Sequence, residues 1–180
     1  MSSLRWGILS TARIGKSVMR GIGMSNACCM QAVASRDKSR AIEWAKENGI
    51  PRAFGSYDEL LHSGEVDAIY NPLPNSMHAE WTIRALEAGL PVLCEKPFTA
   101  NAAEARKVVQ AARSKHLPVA EAFMYRYHPV YDRVRALIDE GAVGDIVTIR
   151  STFSFPLDDP NDIRLKPELA GGALMDVGCY

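Results

Sequence analysis

The stretch that decides the fold is Leu4-Arg-Trp-Gly-Ile-Leu-Ser-Thr-Ala-Arg-Ile-Gly15, near the start of the chain. Its first half is a short apolar run typical of a buried strand, and a helical pattern begins near residue 14. A strand that turns directly into a helix opens the dinucleotide-binding unit of Rossmann folds, whose fingerprint is G-x-G-x-x-G/A. Here the fingerprint reads Ser10-x-Ala12-x-x-Gly15, so only its last glycine is present.

Small side chains at positions 10 and 12 let the backbone approach a pyrophosphate, and a helix N-terminus beyond them offers unpaired N–H groups and a positive dipole end. We therefore expect this turn to bind a dinucleotide through Ser10, Thr11, Ala12, Arg13 and Ile14. A tight strand-to-helix turn also needs small residues for steric reasons alone. The turn by itself leaves both interpretations open.

Outward from this turn, short apolar runs alternate with helical stretches. The runs predict strands at 4–10, 30–34, 68–70, 92–94 and 118–120, and helices are predicted near 14–25, 38–48, 76–88 and 101–115. Gly49 and Gly89 follow predicted helices, with a proline two positions further on, as helix ends often do. This alternation predicts an α/β fold, a Rossmann-like doubly wound parallel sheet with helices on both faces.

The pattern changes in the last third of the chain. A helix is predicted near 129–140, one long strand over 145–155, and a polar, proline-bearing loop to about residue 168. We expect an NAD(P)-binding Rossmann domain at 1–122 and the start of a C-terminal α/β substrate or oligomerisation domain at 123–180. So few elements cannot close a core of their own, so the second domain looks incomplete and the chain truncated.

Composition limits the class of protein. The chain has 180 residues, 47% of them hydrophobic, which is enough for a real core, and its 21 basic residues equal its 21 acidic ones. No basic run suits nucleic acid or an anionic membrane, and no apolar stretch approaches the ~20 residues of a membrane span. The 4 cysteines follow no metal-ligand spacing. We expect a cytoplasmic protein without a metal site, a nucleic-acid partner or a membrane partner.

The end of the second strand indicates which dinucleotide is bound. An NAD site expects a carboxylate there, about 20 residues beyond the fingerprint, but this chain has Ser35-Arg36, with Arg40 one helical turn on. A hydroxyl beside guanidinium groups suits the 2′-phosphate of NADP. NADP is the preferred cofactor and NAD is possible. The alternative is that Arg36 is solvated and Asp37 only caps the next helix.

Two more strand ends carry polar and proline-rich segments, Pro72 to His78 and Glu95-Lys96-Pro97, at the edge where open α/β sheets bind ligands. With Glu121 to Pro129 and Gly171 to Tyr180, they resemble motifs of the glucose-fructose oxidoreductase and inositol dehydrogenase (Gfo/Idh/MocA) family. The likeness is to the branch with xylose dehydrogenases and dimeric dihydrodiol dehydrogenases, and it runs along essentially the whole chain.

The resemblance implies a nicotinamide-binding Rossmann domain, then an α/β domain whose open antiparallel sheet carries substrate and often a subunit contact. It also implies that Lys96 and Tyr180 are the working pair. Tyr180 would be the acid/base for the substrate hydroxyl, and the Lys96 ammonium would lower the tyrosine pKa from its usual value of ~10. Asp176, four residues before Tyr180, would orient substrate or balance the Lys96 charge.

Other expected contacts follow from the same motifs. The residues expected to line the cofactor are Asn71, Pro72, Leu73, Asn75, His78, Glu95, Lys96 and Arg126. Within that set, Glu95 is expected to give hydrogen-bonding support rather than to act in catalysis, and Arg126 could equally be an exposed helix-start arginine. Arg164 and Tyr180 are expected to contact substrate. Ala170 stands where many relatives have a glycine, which removes some backbone freedom before the catalytic segment.

Function remains a choice between classes. The main hypothesis is an NADP(H)-dependent oxidoreductase that moves a hydride to or from a CH–OH or C=O carbon of a sugar, polyol or cyclic diol, with a homo-oligomeric (dimeric or tetrameric) full-length form. The alternative is a non-catalytic NAD(P)-sensing regulator or scaffold of the same fold. The presence of Lys96, Asp176 and Tyr180 favours the enzyme. A different Rossmann enzyme, similar only over the first 120 residues, is disfavoured by the motifs after 121.

Overall fold

The computed structural model describes residues 3–180. Within them, one six-stranded sheet has the order β3-β2-β1-β4-β5-β6, and all its neighbouring strands are parallel. The elements are β1 (Leu4–Leu9), α1 (Gly15–Gly23), β2 (Cys28–Ala34), α2 (Lys38–Asn48), β3 (Arg52–Phe54), α3 (Tyr57–Leu61), β4 (Ala68–Asn71), α4 (His78–Glu87), β5 (Val92–Cys94), α5 (Ala102–Lys115), β6 (Val119–Glu121) and α6 (Pro129–Asp139).

Consecutive residues of β1 explain why helices cover both faces of the sheet. Ile8 and Leu9 are both fully buried, and they belong to two different hydrophobic clusters because successive side chains of a strand point to opposite faces. Ile8 packs in the cluster with Trp44 of α2, whereas Leu9 packs in the cluster with Leu86 of α4 and Val108 of α5. The predicted doubly wound Rossmann-like sheet is thereby confirmed.

The predicted elements of the first 121 residues are confirmed with small shifts at their ends. The predicted signals at helix ends act as expected: Asp37 accepts hydrogen bonds from the backbone N–H groups of Ser39 and Arg40 at the start of α2, and Gly49 ends that helix with a φ of 66°. The short elements β3 and α3, between Gly49 and Ala68, were not predicted.

The predicted strand at 145–155 is wrong. The structure has no strand there, and this segment is largely exposed, with Val147 91% and Ile149 81% accessible. A strand needs a neighbour to receive its backbone hydrogen bonds, and no other segment among residues 3–180 pairs with this one. The antiparallel sheet that the resemblance implied is likewise absent from the described residues.

Apart from α6, the segment from 123 to 180 consists of short turns and stretches without regular structure. Single 3₁₀ turns occur at Met124–Tyr127, Ile163–Leu165 and Pro167–Leu169, and a π-helical turn at Leu174–Gly178. The last turn returns to the carboxyl edge of the sheet, where it meets the end of β5. Among the described residues, every helix is too short or too polar to cross a membrane.

Candidate active site

The turn between β1 and α1 has an unusual backbone. Ser10 adopts a φ of 101°, a conformation that favours glycine, and its N–H donates to the Ala34 carbonyl at 2.8 Å. Its hydroxyl accepts a hydrogen bond from the N–H of Ala12 at 3.2 Å. The N–H groups of Thr11, Arg13 and Ile14 have no partner within residues 3–180. Free N–H groups at a strand-to-helix turn suit a pyrophosphate, so the turn fits the expected cofactor.

Gly15 serves a different purpose in the same turn. A Cβ atom on this residue would lie 2.6 Å from Cδ1 of Ile8 and 3.4 Å from the Trp44 ring. Gly15 is therefore needed because α1 packs directly on β1 and α2, which is the role of the third glycine of the fingerprint. The close packing brings the N-terminus of α1 over the carboxyl end of the sheet.

The tip of β2 lies beside this turn because Leu9 and Ala34 are paired in the sheet. Ser35 is nearly buried, and its hydroxyl accepts a hydrogen bond from the N–H of Asp37 at 3.3 Å. The guanidinium groups of Arg36 and Arg40 are exposed at this tip. Asp37 thus caps α2, as the alternative interpretation required, and the two arginines remain accessible to a phosphate.

Tyr57, which sequence reasoning missed, stands next to this arginine pair. Burial raises the pKa of Tyr57, while Arg36 and Arg40 beside the hydroxyl partly offset that effect. Its ring packs edge-on against Trp81 at 4.8 Å between centroids. Tyr57 starts a one-turn helix that follows an unpredicted strand. No sequence signal therefore indicated that this tyrosine lies beside Arg36 and Arg40.

The turn after β5 carries Lys96 and is fixed from several sides. The Glu95 carboxylate accepts the N–H of Lys96 at 3.2 Å and the buried hydroxyl of Tyr70 at 2.7 Å. Glu121, at the end of β6, accepts the N–H of Phe98 at 2.7 Å. These contacts hold the backbone on both sides of Lys96. The Glu95 and Glu121 carboxylates thus both make hydrogen bonds that hold this turn, and the sequence motif contained Glu121 without indicating such a contact.

Asn71 and His78 depart from the expectation of direct cofactor contacts. Both side chains are 0% exposed, so neither offers surface to a ligand. The His78 ring lies between the carbonyl oxygens of Pro97 and Leu73, each 2.7 Å from a ring nitrogen. Burial lowers the pKa of His78, against a raising effect of these two carbonyls.

The amide of Asn71 is equally occupied inside the protein. Its Nδ2 donates to the His78 carbonyl at 3.2 Å and to the hydroxyl of Thr82 at 3.1 Å, while its Oδ1 accepts the N–H of Leu73 at 3.3 Å. Pro72 and Leu73 are buried as well. Asn71 and His78 therefore present their polar atoms to the interior, and His78 joins the two loops at this edge of the sheet.

Asn75 and Arg126 occupy more open positions. The Nδ2 of Asn75 donates to the carbonyl of Ala170 at 2.8 Å, which ties this loop to the segment before the last turn. Ala170 has a φ of 55°, so it adopts the left-handed conformation for which a glycine would be better suited. Arg126 is exposed in the turn Met124–Tyr127, with no ion pair among residues 3–180.

Three of the predicted residues meet in one ionic cluster. The Lys96 ammonium donates to the carboxylate Oδ1 of Asp176 at 2.8 Å and to the Asp176 carbonyl at 2.7 Å. Arg164 donates through Nε to the other oxygen, Oδ2, at 2.9 Å. Arg164 was expected to contact substrate, and in the structure its guanidinium is bound to carboxylates.

Tyr180 completes the cluster through its ring. The Lys96 Nζ lies 5.3 Å from the ring centroid, within the range of a cation–π contact, and the rings of Phe123, Tyr125 and Phe153 surround it. The Tyr180 hydroxyl has no hydrogen-bond partner within residues 3–180. Lysine, carboxylate and phenol therefore lie together at the carboxyl edge of the sheet.

The expected electrostatic effect on Tyr180 is reversed. Burial raises the pKa of this phenol, and the negative charges of Glu95, Asp176 and Glu121 add to the rise. The Lys96 ammonium is paired with Asp176 and faces the ring, so it does not lower the pKa as the sequence argument supposed. At neutral pH this phenol is protonated and can donate a proton.

No group of three or more His, Cys, Asp or Glu side chains that could hold a metal ion lies within the described range. The cluster instead brings together an ammonium and a phenol, with the Lys96 Nζ 5.3 Å from the centroid of the Tyr180 ring. Such a pair transfers protons to or from an alcohol or carbonyl oxygen.

Comparison with known protein families identifies the family of this chain. Residues 4–123 match the model of an oxidoreductase family with an NAD-binding Rossmann fold, and residues 131–180 match the model of the GFO/IDH/MocA C-terminal domain. The chain belongs to the GFO/IDH/MocA oxidoreductase family. The family resemblance inferred from the four sequence motifs is therefore confirmed.

Individual relatives are similar over nearly the whole chain. The D-xylose 1-dehydrogenase (NADP(+)) 2 of Haloferax volcanii is 48% identical over 98% of this chain and 54% of its own length. The trans-1,2-dihydrobenzene-1,2-diol dehydrogenase of Xenopus laevis is 38% identical over the same shares of the two chains. The chain thus spans about half the length of these curated relatives.

A solved structure has the same arrangement. A 3-ketoreductase from Actinomadura kijaniata, in complex with NADP and TDP-benzene, superposes with a TM-score of 0.94 at 35% identity. The superposition covers 99% of this chain and 55% of that one. The GFO/IDH/MocA fold of the described residues therefore agrees with an experimentally observed family structure.

Proposed function

We propose that the protein is an NADP(H)-dependent oxidoreductase that transfers a hydride between the nicotinamide and a CH–OH or C=O carbon of a sugar, polyol or cyclic diol. Named relatives support this class, since they include a xylose dehydrogenase and a dihydrodiol dehydrogenase. The division into domains at 1–122 and 123–180 and a homo-oligomeric full-length form belong to the same proposal, and sedimentation analysis tests the oligomer.

The observation that carries the proposal is the meeting of Lys96, Asp176 and Tyr180 at the carboxyl edge of the parallel sheet. This edge is where ligands bind in open α/β folds. The turn with free N–H groups at Thr11, Arg13 and Ile14 opens on the same edge. It follows β1, and one strand, β4, separates β1 from β5, which leads to Lys96. A dinucleotide lying across this edge would have its two ends near these two groups of residues.

The bound nicotinamide would supply or accept the hydride. In the reductive direction, the O–H bond of Tyr180 breaks and its proton goes to the carbonyl oxygen, while the Lys96 ammonium donates a hydrogen bond to that oxygen. In the oxidative direction, the same phenol oxygen receives the hydroxyl proton. Because burial and nearby carboxylates raise the pKa of Tyr180, its protonated form, which is the form that acts in the reductive direction, dominates at neutral pH.

Preference for NADP(H) rests on the tip of β2. The hydroxyl of Ser35 and the exposed guanidinium groups of Arg36 and Arg40 offer donors to a phosphate, and no carboxylate there would repel it except the helix cap Asp37. The carboxylate of Asp37 is bound to the N–H groups of α2. Relatives named for NADP(+) or solved with NADP agree with this assignment.

The experiment follows the absorbance of NADPH with a panel of aldoses, inositols and cyclic diols in one direction and the corresponding carbonyl compounds in the other. Tyr180→Phe keeps the ring but removes the transferable proton, so kcat should fall by about 10²–10⁴-fold while the Kd for NADPH stays the same. Tyr127→Phe is the matched control, because Tyr127 is 89% exposed and outside the cluster.

The pH profile adds an independent check. A raised tyrosine pKa predicts a reductive rate that is constant through neutral pH and an oxidative rate that increases into the alkaline range. NADPH binding without turnover of any compound would overturn the enzyme in favour of a cofactor-sensing protein. Equal kcat values for Tyr180→Phe and Tyr127→Phe would overturn the role of the phenol.

A further inference from the structure

The Asp176 carboxylate is shared by two cations. Its Oδ1 accepts from the Lys96 ammonium at 2.8 Å, and its Oδ2 accepts from Nε of Arg164 at 2.9 Å. The side chains of Asp176 and Lys96 are only 14% and 17% exposed, so water screens their contact weakly. An ammonium has three N–H donors, and Lys96 directs two of them to Asp176, one to Oδ1 and one to the carbonyl.

Arg164 is itself held firmly. Its NH1 group donates to both oxygens of the Asp162 carboxylate, at 3.3 and 3.1 Å, and its guanidinium lies over the ring of Phe155 at 5.7 Å from the centroid. Two carboxylates and an aromatic face thus restrict one side chain that is 44% exposed. A guanidinium fixed in this way is a rigid donor rather than a mobile surface group.

The backbone of Arg164 is joined to the same region. Its carbonyl accepts the N–H of Gly172 at 2.8 Å. A Cβ atom on Gly171 would lie 2.6 Å from the Arg164 oxygen and 2.7 Å from the Ile163 oxygen, so the two segments are in direct backbone contact. The turn Ile163–Leu165 therefore packs directly on the start of the segment that carries Asp176.

We propose that Arg164 is a positioning residue that fixes the Asp176 carboxylate and, through it, the Lys96 ammonium. With Oδ2 bound to Arg164, the carboxylate cannot rotate, and Oδ1 stays directed at Lys96. The third N–H of the ammonium then points away from Asp176. Its direction toward a substrate oxygen rests on the proposed function, whereas the fixing of Lys96 beside the Tyr180 ring does not.

This role differs from a substrate contact in what it predicts. A residue that binds substrate directly changes KM, while a residue that orients Lys96 changes kcat. Small misplacement of a catalytic group costs up to about a hundredfold in rate. Arg164→Gln should therefore lower kcat by about 10–100-fold with unchanged KM for NADPH and for the carbonyl substrate. Arg164→Lys keeps one charged donor and should recover part of the loss.

The matched control is Arg135→Gln, since Arg135 is exposed on α6 and has no ion pair within residues 3–180. This variant should keep the kcat of the parent protein. A rise in KM with constant kcat in Arg164→Gln would make Arg164 a substrate contact and overturn the proposal. Unchanged values of both constants would overturn it as well.

A second readout does not depend on turnover. The NMR signals of the Tyr180 ring, assigned by their loss in Tyr180→Phe, report the position of the ammonium 5.3 Å from the ring centroid. They should shift in Arg164→Gln and stay in place in Arg135→Gln. If the parent protein shows no activity but these shifts occur, the proposed function fails and the positioning role stands. If the signals do not move, the positioning role fails whatever the activity.

Discussion

The substitution Gly15→Ala tests how closely α1 packs on the sheet. The new methyl group would lie 2.6 Å from Cδ1 of Ile8 and 3.4 Å from the Trp44 ring. Ile8 is 0% exposed and Trp44 is 8% exposed, so neither can swing into solvent to make room. The matched variant is Gly21→Ala in the same helix, where a Cβ would meet no atom within 4 Å.

The two variants should differ in stability. Forcing a methyl group into a packed core costs about 1–3 kcal/mol. Alanine instead of glycine within a helix adds about 0.5–1 kcal/mol. Gly21→Ala receives only this gain, whereas Gly15→Ala receives the steric cost as well. To a first approximation, the difference between their free energies of unfolding is the steric cost, about 1–3 kcal/mol.

Urea unfolding followed by tryptophan fluorescence measures the difference, since the chain has 3 tryptophans and one of them, Trp44, lies at the contact. NADPH titration should show weaker binding by Gly15→Ala, since displacement of α1 moves the N–H groups of the turn before it. Gly21→Ala should bind NADPH like the parent protein. Equal free energies of unfolding for the two variants would refute the packing argument, and equal Kd values would refute the link to the cofactor turn.

Arg36→Ala should raise the Kd for NADPH by about 10–100-fold and leave the Kd for NADH unchanged, because a charge-assisted hydrogen bond contributes about 1.5–3 kcal/mol. Calorimetry measures both Kd values, and the control is Arg20→Ala, since Arg20 is exposed on α1. An equal loss of affinity for both dinucleotides would contradict phosphate recognition. Burial lowers the pKa of His78 in the folded protein. At pH values between the folded pKa and the unfolded pKa of about 6.5, the unfolded chain therefore binds more protons than the folded one. Stability should fall in this range as the pH falls, by up to about 1.4 kcal/mol per pH unit. NMR titration of the His78 ring should give a lower midpoint in the folded protein than in urea, and a midpoint at or above the unfolded value would contradict the argument.

The sheet and its principal helices could be predicted because their signals are local. Alternating apolar runs and helical stretches, with Asp37 before α2 and Gly49 after it, mark elements without reference to the rest of the chain. The element β3 was missed because Arg52-Ala-Phe54 is not an apolar run like the equally short Val92-Leu-Cys94, and α3 was missed because five residues hold too little helical periodicity. The strand expected at 145–155 failed for the opposite reason: its pattern is clear, but pairing depends on a neighbour that no local pattern reveals.

For the candidate site, the sequence indicated several of the residues but not their contacts or their electrostatics. Lys96, Asp176 and Tyr180 came from motif resemblance, and their meeting depends on long-range packing that periodicity does not encode. Polar residues at a strand end can face a ligand or the interior, and sequence does not distinguish the two cases for Asn71 and His78, which are 0% exposed. Burial and nearby negative charges raise the pKa of Tyr180, while the Lys96 ammonium is paired with Asp176; only the three-dimensional geometry determines both effects.

The residues that pair in the candidate site lie far apart along the chain, and this separation affects when their contacts form during folding. Lys96 and Asp176 are 80 positions apart, and Asn75 and Ala170 are 95 apart. Closing such long loops costs entropy before any contact rewards it, whereas adjacent helices and strands form from near neighbours. The sheet can be complete while the ammonium still lacks its carboxylate. We therefore expect the contact between Lys96 and Asp176 to form late in folding, after the turn between β1 and α1.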